Sequence, residues 1–156
     1  MFKLVENDLI GRMRCKYEDE LGNKINYIRK PSLNQSIIKI RNDNRNIRFD
    51  AIVLDTLNPG QGCTFNYHYD KDDENITKEY LDTTIKNFTE FMNYIIGLEN
   101  AIRLLNVDAN IMANYLNIDK EMKQTDRTEI ASAAKLSLLT QYEELKNPFV
   151  EEILKK

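Results

Sequence analysis

Apolar and polar positions follow two different rhythms along this chain, and the change comes at Asp70-Lys71-Asp72-Asp73-Glu74-Asn75. Before that acidic patch, apolar residues alternate with polar ones in short runs broken by Asn, Gly and Pro. Such a period of two is the pattern of strands. After it, an apolar stripe recurs at steps of four and three, the pattern of an amphipathic helix.

Five strands are expected in the first part. Residues 12–17 and 24–30 flank Gly22-Asn23, whose tolerance of positive φ predicts a hairpin. A second pair, 36–41 and 46–54, flanks the turn-prone Asn42-Asp43-Asn44-Arg45. Ile47, Phe49 and Val53 alternate with Arg48 and Asp50, but Ala51-Ile52-Val53-Leu54 suggests a bulge or a strand covered on both faces. The cleanest strand is 63–69, where Cys63, Phe65, Tyr67 and Tyr69 alternate with Thr64, Asn66 and His68. A helix over residues 5–13 competes with an early strand, because Leu9, Ile10 and Met13 share helical spacing.

The second part is helical. Thr84, Phe88, Phe91, Ile95, Leu98, Ile102 and Leu105 form a heptad seam on a helix over 77–105, about 43 Å long. Leu81, Ile85, Met92, Ile96 and Ala101 widen the seam, enough to pack against both the sheet and another helix. A short helix is expected over 109–116, capped by Asp108 and stapled by Val107 onto Met112. The last helix is expected to start after Asp126, with Glu129 completing a capping box and Ile130, Ala134, Leu138, Tyr142 and Leu145 turned inward. Asn147-Pro148 ends it. The fold class is therefore α+β: an N-terminal antiparallel sheet or small open barrel of about five strands, followed by C-terminal helices. A β-rich part spans 1–70 and a helical part 71–156, within one compact domain.

Charge divides at the same place. Through Tyr69 eleven bases face eight acids; beyond it eleven bases face seventeen. The acidic patch is read as the solvated, dipole-favoured N-terminus of the long helix. As a calcium loop it fails, with Asn75 where the sharp turn needs Gly and Leu81 where a bidentate Glu is required. The chain, 156 residues with 42% hydrophobic and 30% charged residues, can bury a core and keep a polar surface. The N-terminus has acids where a signal peptide needs an apolar run, and no segment approaches the roughly 20 apolar residues of a membrane span. A cytoplasmic address in a bacterial or phage-infected cell is expected, with no membrane partner. Heavy use of Asn, Ile and Lys fits an AT-rich genome such as a phage carries.

Chemistry is sparse. Cys15, Cys63 and His68 are too few for a disulfide framework or a zinc site, so free thiols, no metal and no cofactor are expected. His68 and Asp70 share strand parity, whereas Cys63 and His68 do not, which opposes a Cys-His nucleophile pair within that strand. Asn58-Pro59-Gly60-Gln61-Gly62 lacks the Gly-Lys-Ser/Thr ending of a phosphate loop and reads as a turn. Residues 113–118 fit the first helix of a helix-turn-helix, but 119–126 lacks the apolar spacing of a recognition helix. No catalytic residue is assigned.

Binding is the better-supported class. Between Lys24 and Arg48 there are seven bases and one acid, and Tyr27, Phe49, Phe65, Tyr67 and Tyr69 lie nearby in sequence. Cations that track phosphates beside aromatics that stack on bases are the means of holding single-stranded nucleic acid. Arg29, Lys30, Lys39, Arg41, Arg45, Arg48, Tyr67 and Tyr69 are the expected contacts, in an accessory protein of phage or mobile-element type. The alternative is a protein-interaction module, a virion component or small inhibitor of a host protein, with no nucleic-acid contact. Phe149, Ile153 and Leu154 would form an apolar handle for a protein partner or a second copy. Facing separates the two readings. If Arg29, Lys39, Arg41 and Arg48 share a face with the tyrosines, nucleic acid gains; if they scatter, the protein partner gains.

Overall fold

A computed structural model describes residues 1–9, 11–54 and 63–146. The chain forms two compact units, Met1–Gly97 and Leu98 onward. The first carries an open antiparallel sheet of six strands in sequence order: β1 (Phe2–Asp8), β2 (Arg14–Asp19), β3 (Lys24–Lys30), β4 (Gln35–Asn42), β5 (Arg45–Leu54) and β6 (Cys63–Tyr69). Helices follow: α1 (Lys78–Leu105), α2 (Ala109–Tyr115) and α3 (Gln124–Gln141). The α+β class stands. The sheet has six strands where five are expected, and its linear order makes it open rather than a barrel.

The additional strand is β1, and a bulge explains why alternation conceals it. Leu4 pairs with Tyr17, but the register then shifts so that Glu6 pairs with Lys16 and Asn7 with Cys15. The shift changes which parity faces inward. Val5, left 57% exposed by the irregularity, spoils any period-two reading that starts at Phe2. The helix considered over residues 5–13 is thereby replaced by a strand ending at Asp8.

One face of the sheet is the core. Its cross-strand rows are Leu4-Tyr17-Ile25-Ile40-Phe49-Tyr67 and Asn7-Cys15-Tyr27-Ile38-Ala51-Phe65. Tyr17, Ile25, Tyr27, Ile38, Ile40 and Phe49 are each at most 2% exposed. The first turns of α1 lie on this face. Phe91 meets Phe2 and Tyr17 edge-on at 4.9 and 4.8 Å, while Phe88 meets Phe65 at 4.7 Å and Phe49 at 5.9 Å between ring centroids. Each such ring stabilises by about 1.5–3 kcal/mol through burial.

The end of β5 corrects the expected bulge. Alternation continues unbroken: Ala51 and Val53 are buried inward, whereas Ile52 (40% exposed) and Leu54 (46%) point outward. The strand is apolar on both sides and covered on one. Irregularity falls instead at Arg41/Asn42, beside the β4–β5 turn.

All seven positions of the α1 seam are buried. Thr84, Phe88, Phe91 and Ile95 belong to the first unit, and Leu98, Ile102 and Leu105 to the second. The wide stripe thus runs through both units. In the second, Leu104 joins Met112 and Ala131 in a small core, against which Val107, Ala109, Ala134 and Leu138 pack. Asp108 caps α2 as expected, its Oδ1 accepting the Ile111 N–H at 2.9 Å.

α3 departs from expectation. It starts at Gln124, without a side-chain cap, and Ile130 is 42% exposed. The inward line instead passes through Arg127 and Ala131 to Ala134 and Leu138. Arg127 occupies the buried position because its guanidinium donates to the carbonyls of Ile118 (2.8 Å) and Asp119 (2.7 Å), which isoleucine cannot do. None of the helices among the described residues is long and apolar enough to cross a membrane.

Candidate functional site

The face of the sheet opposite α1 holds most of the expected basic contacts. One row runs Lys3-Glu18-Lys24-Arg41-Arg48-His68 across all six strands, and the next runs Glu6-Lys16-Asn26-Lys39-Asp50-Asn66. A third contains Ile28, Ile37 and Ile52, with Leu54 beyond it. This outer face therefore mixes both charges with an aliphatic strip.

Lys39 is exposed, and Lys30 is half-buried at the end of β3. Arg41 donates Nη1 to the carbonyls of Ile40 (2.8 Å) and Phe49 (3.2 Å) and Nη2 to Asp50 (2.8 Å). Arg48 reaches the other oxygen of Asp50 through Nε at 3.3 Å. One carboxylate thus holds two of the expected phosphate-binding cations, and it also relieves the repulsion between Arg41 and Arg48, which are directly opposed in register.

Arg29 and Arg45 are placed elsewhere. Arg29 is on the inner face, opposite Ser36 and 7% exposed. Arg45 sits at the β4–β5 turn, its guanidinium 4.1 Å from the centre of the Tyr80 ring and its Nε donating to the Asn75 carbonyl at 3.0 Å. That contact helps hold the acidic patch. Asp70 and Asp73 accept the N–H of Asp72 and Asn75, each at 2.9 Å, closing consecutive turns. In the first turn of α1 the acid is Glu79, so the patch acts in the turns ahead of the helix rather than on its dipole.

Tyr67 and Tyr69 face the side of α1, not the basic side. Phe65, Tyr67 and Tyr69 form a ladder along β6, with Phe65–Tyr67 at 5.6 Å and 24° and Tyr67–Tyr69 at 6.3 Å and 4°. Tyr67 also stacks on Phe49 at 5.6 Å. Phe65 and Tyr67 remain 40% and 49% exposed because β6 is the last strand of the sheet. The fold brings Lys39, Arg41 and Arg48 together and puts a sheet's thickness between them and the tyrosines.

A buried polar network went undetected in the sequence. Asp19 accepts the N–H groups of Leu21 (3.0 Å) and Asn23 (2.9 Å) and the side-chain amides of Asn23 (2.8 Å) and Asn87 (3.3 Å). Asn42 donates to the Asn23 amide oxygen at 2.9 Å, as does the Tyr80 hydroxyl at 2.5 Å. The network joins the β2–β3 turn, the end of β4 and the start of α1. Burial raises the Tyr80 pKa and keeps its hydroxyl a donor. At its rim, the Met1 ammonium touches Glu20 and Asn87, both at 2.7 Å. That ammonium above all, with a backbone N–H and the Asn87 amide, lowers the Glu20 carboxyl to about 2. Neighbouring carboxylates at positions 19 and 20 suggest acid–base chemistry, but Asp19 has its four hydrogen bonds within the fold. A signal was available: Asp19 and Asn23 flank a tight turn whose Gly22 has φ +78°.

Cys15 is buried on the inner face, its thiol donating to Asn7 Oδ1 at 3.3 Å, while His68 is exposed on the outer face four strands away. Among the described residues no three His, Cys, Asp or Glu side chains are grouped to hold a metal ion. Phe149, Ile153 and Leu154, like Asn58–Gly62, lie outside the described residues. Compared with known proteins, the chain matches no family model, no curated sequence and no solved structure.

Proposed function

We propose that this chain is a non-enzymatic protein-interaction module, of the kind that serves as a virion component or a small inhibitor of a host protein. The observation that carries the reading is the separation of cations from aromatics. Lys39, Arg41 and Arg48 face outward, Tyr67 and Tyr69 face the side of α1, and Arg29 is buried. Stacked bases and tracked phosphates must lie on one surface, within the reach of one strand of nucleic acid. An aliphatic strip of Ile28, Ile37, Ile52 and Leu54 bordered by charged rows suits a protein partner, whose interfaces combine an apolar centre with a polar rim.

A second reading, a single-stranded nucleic-acid accessory protein, draws support from a specific feature. The row containing Lys3, Lys24, Arg41, Arg48 and His68 crosses the outer face, with Lys39 beside it. Such a row tracks phosphates without stacking. One titration separates the readings: fluorescence anisotropy of a labelled single-stranded DNA oligonucleotide at low and high salt. The interaction module leaves the anisotropy flat at both. Binding that weakens steeply with salt and disappears in Lys39→Glu/Arg48→Glu overturns it in favour of nucleic acid.

A further inference from the structure

We propose that β6 pairs antiparallel with β6 of a second copy of this chain, joining two sheets edge to edge in a symmetric dimer. This is independent of what the outer face binds. The two edges of the sheet differ in how they are guarded. β1 carries Lys3, Glu6 and Asp8 and a bulge after Leu4, all of which discourage strand addition. β6 is seven residues long, regular in its pairing with β5, and has no Lys, Arg, Asp, Glu or Pro. Among the described residues no strand pairs with its other side.

Backbone phase specifies what that side offers. The Asp70 N–H donates to the Asn46 carbonyl at 3.2 Å, continuing the β5–β6 ladder by one pair. Bonded and non-bonded pairs alternate in an antiparallel ladder. Arg48–His68 and Asp50–Asn66 are then the bonded pairs, so the N–H and C=O groups of Phe65, Tyr67 and Tyr69 point to the open side. These are the residues of the half-exposed aromatic ladder.

The strand is its own complement. Pairing all seven residues with a second copy centres the two-fold axis on Asn66. Phe65 then lies opposite the second copy's Tyr67 in a bonded pair, and Tyr67 opposite its Phe65. Aromatic cross-strand pairs are among the favourable ones, and Asn66 meets its own copy with amide against amide. The antiparallel sense also follows from charge. Asp70, Asp72, Asp73 and Glu74 adjoin one end of β6, so a parallel pair would set two acidic patches side by side. The antiparallel pair puts them about 27 Å apart, beyond opposite ends of the strand.

Asn66 is exposed on the outer face and outside the core, which makes it the position to test. Sedimentation velocity over a concentration series should show a dimer for the unaltered chain. Asn66→Lys and Asn66→Glu, alone, oppose like charges across the axis and should each weaken self-association roughly tenfold or more. Their equimolar mixture should restore the dimer, and the circular dichroism spectra of the single variants at low temperature should match that of the unaltered chain. Independently, Asn66→Cys in a Cys63→Ser background should yield a disulfide-linked dimer on mild oxidation, because directly opposed positions have bridgeable spacing. A chain that stays monomeric and uncrosslinked, variants that dimerise as the unaltered chain does, or a mixture that remains monomeric each overturns the proposal. Flat anisotropy in the DNA titration has no bearing on these outcomes, so the two readings fail separately.

Discussion

Each face of the sheet holds a few residues that reverse the usual relation between polarity and exposure. On the inner face Asp19, Asn23, Asn42 and Arg29 are at most 8% exposed, while on the outer face Ile52 and Leu54 are 40% and 46% exposed. Asp19, Asn23 and Asn42 are tolerated on the inner face because hydrogen bonds within the network replace those lost to water. The outer aliphatic groups are tolerated because apolar atoms make up more than half of an ordinary folded surface. Polarity of a residue therefore says less about its burial here than its parity on the strand does.

Truncating the inner face should give the largest effect. Phe91→Ala empties a site with no exposed surface and removes the ring contacts to Phe2 and Tyr17, for an expected loss of about 3–5 kcal/mol in chemical denaturation. Ile52→Thr, on the outer face, should change the same measurement by no more than about 0.5 kcal/mol. Equal losses would erase the distinction between the faces.

The polar network should come next. Asp19→Ala leaves the amides of Asn23 and Asn87 short of an acceptor in a buried setting, an expected cost of about 2–3 kcal/mol. If the melt is unchanged, water has replaced the carboxylate and the network is not sealed.

The smallest effect concerns pH at the rim of that network. Glu20 is held at about 2 in the fold against an ordinary 4.5, so the folded state favours its charged form. Its contribution is present above pH 4.5 and disappears as pH falls through about 2. Comparing Glu20→Gln with the unaltered chain should show a small stability gap at pH 6 that closes between pH 4.5 and 2. A gap independent of pH would mean that the carboxylate's charge is irrelevant.

Most of the architecture was legible in the residues because its signals are periodic and local. Strands β3 and β6 fall where alternation and turn chemistry put them, the α1 seam is buried at every expected position, and Asp108 caps α2. β1 was not legible, since one bulge after Leu4 inverts its parity. The α3 face was not legible either. Ile130 outranks Arg127 on hydrophobicity, yet only a guanidinium can reach the carbonyls of Ile118 and Asp119.

Sequence alone determined the α+β class, the turns and the burial of the helical seam, because each depends on neighbours a few residues apart. Tertiary structure alone decided which bases share a surface. Arg29 and Lys30 are adjacent in the chain, yet one is buried on the inner face and the other lies on the outer. Arg41 and Arg48, seven residues apart, meet across a hairpin and converge on one Asp50. Strand parity and register set the face, and a six-stranded sheet, two side chains thick and one backbone deep, keeps what it puts on opposite faces apart.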